Sequence, residues 1–122
     1  MTPQELKART TAFAYCTVRF TRPLLQDIDT RDIARQLRRA ATAVAANYRA
    51  VCRARSDREF IAKVGVVLEE ADEAEFWLEV IRDCAIATGA ELSWLIKEAG
   101  ELVRIFAASR RTVRERLRRE TK

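Results

Sequence analysis

The 122-residue chain has no histidine and only three glycines, and each shortage removes a class of chemistry. Without histidine the usual general base is missing. Three glycines leave no phosphate-cradling loop. No catalytic residue and no cofactor motif stands out, so the chain reads as a non-enzyme. The three cysteines, Cys16, Cys52 and Cys84, fall on three different predicted helices without C-x-x-C spacing, which fits reduced thiols better than a disulfide framework. They are expected to be small buried residues. No apolar run approaches the roughly 18 residues of a membrane span, and the amino terminus is amphipathic and polar where a signal peptide would be apolar. The expected location is the cytoplasm.

What the chain does have is helical periodicity from end to end. Ser56 followed by Glu59 forms a capping box, so a helix begins near Asp57. Its apolar stripe runs through Phe60, Val64, Val67, Ala71, Ala74, Leu78, Ile81 and Ala85 to about residue 87, with Gly89 as terminator. Before it, Ile33, Leu37, Ala40, Val44, Asn47, Val51 and Ala54 alternate at the same spacing, which predicts a helix over 31–54. The connection at Arg55 and Ser56 is so short that these two helices must be antiparallel neighbours. Thr2, Pro3 and Glu5 open a first helix, 3–21, and the segment from Arg22 to Asp29 reads as the longest loop. Leu92, Leu95, Ala99, Leu102, Phe106 and Val113 form a fourth stripe over 91–118, in which Gly100 lowers helix propensity by about 1 kcal/mol without breaking it. The expected fold is all-α, an antiparallel up-and-down four-helix bundle in a single domain over 1–122.

Several polar residues need weighing against this frame. Glu69, Glu70, Asp72, Glu73 and Glu75 suggest a metal-binding bundle at first sight, but di-iron bundles need a Glu-x-x-His pair on two helices, which a chain without histidine cannot supply. The structural reading is a solvated acidic face, with Glu70 and Glu73 partly buried in salt bridges beside Val66 and Trp77. Asn47 falls on the apolar stripe, where a buried asparagine can fix helix register or oligomer state. Trp77 and Trp94 are expected to fill the core or anchor a subunit contact. The run Ala40, Ala41, Ala43, Ala45 and Ala46 permits close helix approach.

The charge balance is the clearest pointer to a partner. The net charge is +5, and nineteen of the 23 basic residues are arginine, the residue suited to bidentate contact with phosphate. Arg35, Arg39, Arg49 and Arg53 share one line of the second helix, with Arg55 just beyond it. The carboxyl run carries Arg110, Arg111, Arg114, Arg116, Arg118, Arg119 and Lys122 against Glu115 and Glu120. A basic stripe of this kind is an electrostatic footprint for RNA or DNA. It equally suits salt bridges to the acidic face of the third helix, as in a protein-interaction module with no nucleic-acid role.

Gln36, Leu37, Arg39, Ala41, the Ala46-Asn47-Tyr48 step, Ser56, Phe60 and the string Glu70-Ala71-x-Glu73-x-x-Phe76-Trp77-Leu78 resemble the four-helix-bundle family of 23S rRNA intervening-sequence proteins, also labelled S23-like. The resemblance implies an up-and-down bundle assembled as a ring-like homopentamer of basic character. It also implies kinship with the accessory variability determinant proteins of diversity-generating retroelements, which bind nucleic acid and a reverse transcriptase. The chain departs from the family pattern at Ala74, where threonine is frequent, and at Arg49, Ala50 and Val51, where Ala-Glu-Gly is frequent. The family offers no catalytic residues to carry over.

Overall fold

The computed structural model describes residues 1–121; Lys122 of the basic carboxyl run lies outside the described residues. Four helices follow in order, α1 (Pro3–Thr21), α2 (Arg31–Val51), α3 (Asp57–Asp83) and α4 (Ala90–Glu120), with a short 3-10 turn at Pro23–Gln26 between the first two. The helix starts follow local chemistry. Thr2 Oγ1 accepts from the Glu5 amide at 3.1 Å, and Ser56 Oγ accepts from the Glu59 amide at 3.1 Å, each satisfying one of the four amides that an α-helix leaves unpaired at its start. Ahead of α2, Asp27 organises the turn: its side chain accepts from the Asp29 amide at 2.8 Å and its carbonyl from the Thr30 and Arg31 amides.

Successive helices pack side by side, and one hydrophobic core runs through all four. Phe13, Leu37, Val44, Val64, Val67, Leu78, Ile81, Leu95, Leu102 and Phe106 are completely buried in it. Burial of an aromatic or large aliphatic side chain is worth about 1.5–3 kcal/mol relative to exposure, so the core of this antiparallel bundle holds the elements in place. Ala40 and Ala41 lie fully buried on α2, opposite the buried Ala71 and Ala74 of α3, and small side chains at facing positions let helix backbones approach. Gly100 does the same for α3 and α4, because a Cβ there would stand 2.8 Å from Glu75 Oε2.

The ring of helices closes between α1 and α4, where polar contacts supplement the apolar ones. Arg9 donates two hydrogen bonds to Glu98, at 2.7 and 2.8 Å, and a third to Glu101 at 2.9 Å. The Glu98 side chain is nearly buried, and the paired carboxylate raises the Arg9 pKa, chiefly through that hydrogen bond. Arg38 of α2 ties in the end of α1, donating to the Val18 carbonyl at 2.7 Å and to Thr21 Oγ1 at 3.0 Å.

Four expectations are corrected. α2 ends at Val51 and α3 at Asp83, several residues earlier than the stripes suggested, so Ala54 and Ala85 lie in the connections. Gly89, at φ 113°, caps the start of α4 and does not end α3. The residue that ends α3 is Ala85, at φ 55°: its amide donates to Arg82 and the Ile86 amide to Ile81, the two hydrogen bonds of a Schellman cap. Asn47 is only half-buried and the core place beside it belongs to Tyr48, because the helix advances 100° per residue and Tyr48 is the one turned toward Phe106, at 5.6 Å between ring centroids. The cysteines are not core residues: Cys16 is half-buried, Cys52 and Cys84 are exposed, the last two because both lie past the ends of their helices. Trp77 packs against the core while Trp94 is largely exposed.

Ala85 holds a left-handed conformation that costs an L residue about 1–2 kcal/mol and glycine almost nothing. Ala85→Gly is therefore expected to stabilise the fold by about 1 kcal/mol, after the added freedom of the unfolded chain is subtracted. Thermal melts followed by circular dichroism should show the midpoint rising by about 3–5 °C; an unchanged or lower midpoint would contradict this account of the cap.

Candidate nucleic-acid interface

The short connection Cys52–Ser56 between α2 and α3 brings the carboxyl end of α2 beside the amino end of α3, and the antiparallel pairing of α3 with α4 adds the carboxyl end of α4. Two sequence segments rich in arginine, 49–58 and 110–119, thus meet at one end of the bundle. The link is explicit: Arg116 donates to both carboxylate oxygens of Asp57, at 3.1 and 2.8 Å. Asp57 is the first residue of α3, so its charge also complements the positive end of that helix.

The predicted arginines divide into two groups. Arg39 is already engaged, donating to Glu70 at 3.1 Å and to Glu73, whose other oxygen accepts from Trp77 Nε1 at 3.3 Å. These contacts hold the Glu73 carboxyl below its ordinary range, the Arg39 hydrogen bond first. Arg35 lies 3.6 Å from Asp32 on its own helix. Both belong to the acidic half of the bundle. Arg49 lies exposed in the last turn of α2, and Arg53 in the turn beyond it. Arg55 reaches Glu59 only at 4.0 Å, while Lys63 holds the same carboxylate at 3.0 Å.

At the basic end two of the carboxylates are thus occupied, Asp57 by Arg116 and Glu59 by Lys63, while Glu115 lies among the arginines of α4. Among the described residues, Arg53, Arg58, Arg110, Arg111, Arg114 and Arg118 form no ion pair within 4.0 Å. Arg110 folds back over Gly65, whose position leaves its guanidinium 3.8 Å from an ideal Cβ. Arg58 faces Arg114 and Arg118 across an open groove of about 380 Å³ floored by Ile61 and Leu117. A second hollow of about 220 Å³ along α4 is lined by Arg110, Arg111, Arg114 and Arg118, with Glu115 at its edge. Sequence reasoning did not single out Arg58. Its signal was the position two residues past the Ser56 cap, in the first turn of a helix whose neighbour carries the carboxyl-terminal arginines.

Such an array can hold phosphates. Guanidinium groups offer planar, always charged, bidentate donors, and the rest of the lining is aliphatic apart from Thr121, whose hydroxyl already donates to the Arg118 carbonyl at 3.1 Å. The acidic residues of α3 do not make a competing metal centre: among the described residues, no group of three or more potential ligands converges. Glu75 does rise above the ordinary carboxylate range, mainly because the α3–α4 contact removes it from water, and next because Glu79 and Asp72 are near.

The 23S rRNA-intervening sequence protein family matches residues 5–108, and the chain belongs to that family. A crystal structure of a protein of unknown function from the S23 ribosomal protein family of Bacteroides thetaiotaomicron VPI-5482 is similar in fold, with a TM-score of 0.81 and 24% identity over 91% of this chain and 99% of that one. No curated protein matches the chain significantly. Among the described residues, no helix is long and apolar enough to cross a membrane.

The Asp57–Arg116 pair predicts a pH dependence. Arg116 holds the Asp57 carboxyl below its ordinary range, mainly by hydrogen bonding. A carboxyl depressed in the folded state contributes stability above its unfolded pKa of about 4, and that contribution is lost as pH falls through the folded value. Acid unfolding profiles should therefore be less steep for Asp57→Asn than for the parent below about pH 4, with the two converging in the acid limit. Parallel profiles at all pH values would show that the pair does not act on stability.

Proposed function

We propose that this chain is a non-enzymatic oligomeric scaffold that binds RNA or DNA through its arginine-rich end without reading base sequence. The observation that carries this reading is the α3–α4 groove, where Arg58, Arg114 and Arg118 stand around an aliphatic floor with no carboxylate partner. Like charges three and four residues apart on a helix cost about 0.2–0.5 kcal/mol per pair. The sequence places Arg110, Arg111, Arg114 and Arg118 at those spacings, so the free protein carries a small electrostatic penalty that a polyanion relieves. The position of Arg118 and Arg119 in the last turn of α4 offsets part of it through the helix dipole, but Arg110 and Arg111 lie too far back to benefit.

Self-association fits the same picture. Val66 and Phe76 of α3 are about half exposed, at 47% and 54%, and a homo-oligomer, a pentamer as the family resemblance implies, would cover apolar surface and repeat the basic end around a ring. A reverse transcriptase is the protein partner suggested by that resemblance. The competing reading, a protein-interaction module without a nucleic-acid role, draws support from Arg39 and Arg116, which are paired with carboxylates of α3.

The test is an anisotropy titration of labelled RNA and DNA with the full chain at about 50 and 200 mM salt. Counterion release predicts binding that falls by a factor on the order of a hundred or more between those concentrations if four to five phosphates are neutralised. The triple variant Arg58→Ala, Arg114→Ala, Arg118→Ala should lose most of this binding while its melting midpoint holds or rises by a degree or two. Arg35→Ala should change little. Binding to one protein partner, with none to RNA or DNA at about 50 mM salt, would favour the protein-interaction module.

A further inference from the structure

Resting on that reading, we infer that the polyanion this end fits is a double helix, held by its phosphodiester backbone, and not a single strand. The first ground is charge density. Arg110 to Arg118 spans eight residues of α4, about 12 Å at 1.5 Å per residue. Duplex DNA presents one charge per about 1.7 Å of axis, so roughly seven phosphates pass within that length, against three or four from one extended strand. Five guanidiniums converge there, Arg110, Arg111, Arg114 and Arg118 on α4 and Arg58 across the groove. A duplex offers enough phosphates over that length to neutralise all five, whereas a single strand leaves one or two of them without a counter-charge.

The second ground is the absence of a stacking surface among these arginines. Surfaces that hold single strands combine a basic groove with aromatic side chains on which bases stack, at about 1–3 kcal/mol per base. The groove here is floored by Ile61 and Leu117. The exposed aromatic side chains are Tyr15, Phe76 and Trp94, all remote from it: Trp94 is 24 residues from Arg118 along α4, about 36 Å, and Phe76 is 18 residues from Arg58 along α3, about 27 Å. Tyr15 lies on the α1–α2 face, in a hollow with Thr42 and Arg49 that shares no residue with the groove. The other aromatic residues at this end, Tyr48 and Phe60, line a separate hollow with Arg55 and Arg116, where Tyr48 is buried and Phe60 packs against the core. Within the Arg58–Arg114–Arg118 groove a base leaving its partner would find no aromatic ring to stack on, whereas an intact duplex keeps its bases stacked and offers only backbone.

Rigidity supports the same conclusion. Four of the five arginines ride on one unbroken helix, and the fifth is fixed at the start of α3 by the Ser56 cap and the Asp57–Arg116 clamp. A fixed array suits a ligand whose phosphates are themselves fixed.

The experiment compares the full chain binding a 20-base-pair DNA duplex, a 20-base-pair RNA duplex and a 20-nucleotide strand of the same sequence, by anisotropy at matched salt. Both duplexes should bind at least tenfold tighter than the strand, with log K falling against log salt at a slope near −4 to −5. That slope should become shallower by about 2 in Arg114→Ala/Arg118→Ala, whose helical circular dichroism should match the parent. A duplex-to-strand affinity ratio near one or below overturns this inference and leaves the nucleic-acid reading standing. No binding of any of the three at about 50 mM salt overturns both. A tenfold gap between the DNA and RNA duplexes, each still tighter than the strand, identifies which double helix is preferred.

Discussion

The turn between α2 and α3 is the constraint from which the arrangement of the molecule follows. Cys52–Ser56 is too short to do anything but reverse the chain, and Ser56 fixes where α3 starts by taking the Glu59 amide. Once those two helices are antiparallel neighbours, the parity of the bundle places the start of α1 and the end of α4 at the same end as the turn. The convergence of arginine segments sixty residues apart in sequence is thus a product of topology. No local motif contains it.

Given that geometry, the carboxylates decide which arginines remain open. Nearly buried charge must be paired to be tolerated, and the structure spends its acids where helices need joining: Glu98 and Glu101 on Arg9 to close α1 against α4, Glu70 and Glu73 on Arg39 to join α2 to α3. The exposed members of these pairs contribute little individually because solvent screens them, whereas the Arg9–Glu98 pair is shielded enough that losing one partner would strand the other. At the opposite end two carboxylates serve as braces, Asp57 for Arg116 and Glu59 for Lys63. The acids of α3 lie mostly in its second half, beyond reach of the terminal arginines, so charge separation along the bundle axis is a consequence of where the joints are.

Most of the fold was legible in the sequence because the information is local or periodic. Caps at Thr2 and Ser56 marked two helix starts to the residue, and the apolar stripes gave the buried faces of α3 and α4. Helix ends were less legible. Ala85 enters a left-handed cap usually taken by glycine, and a pattern reader passes over it to reach Gly89, which performs a different task. Asn47 and Tyr48 show the limit of a heptad alternation, since a stripe has two edges and only the facing Phe106 selects between adjacent residues. The cysteines were misplaced by a frequency argument that does not know where a helix stops. For the site, the arginine segments were visible, but their division into engaged and open members depends on contacts between residues 31 to 59 positions apart, such as Arg39 with Glu70 and Asp57 with Arg116. Nothing short of the tertiary arrangement contains that division.

The amino-acid choice along the end of α4 carries one more step of argument. A helix end needs some positive charge for its dipole, and one or two arginines in the last turn suffice, since the effect fades within a turn. This helix instead repeats arginine over three turns, places several at mutually repelling spacing, and leaves opposite them an arginine, Arg58, where a glutamate would have made an ion pair and a more stable bundle. Selection for stability alone removes such an arrangement easily, because a single charge reversal at position 58 would relieve repulsion and create an interhelical pair. The arrangement leaves the resting state not fully balanced by its own carboxylates, and under the proposed function an external anion would supply the missing counter-charge.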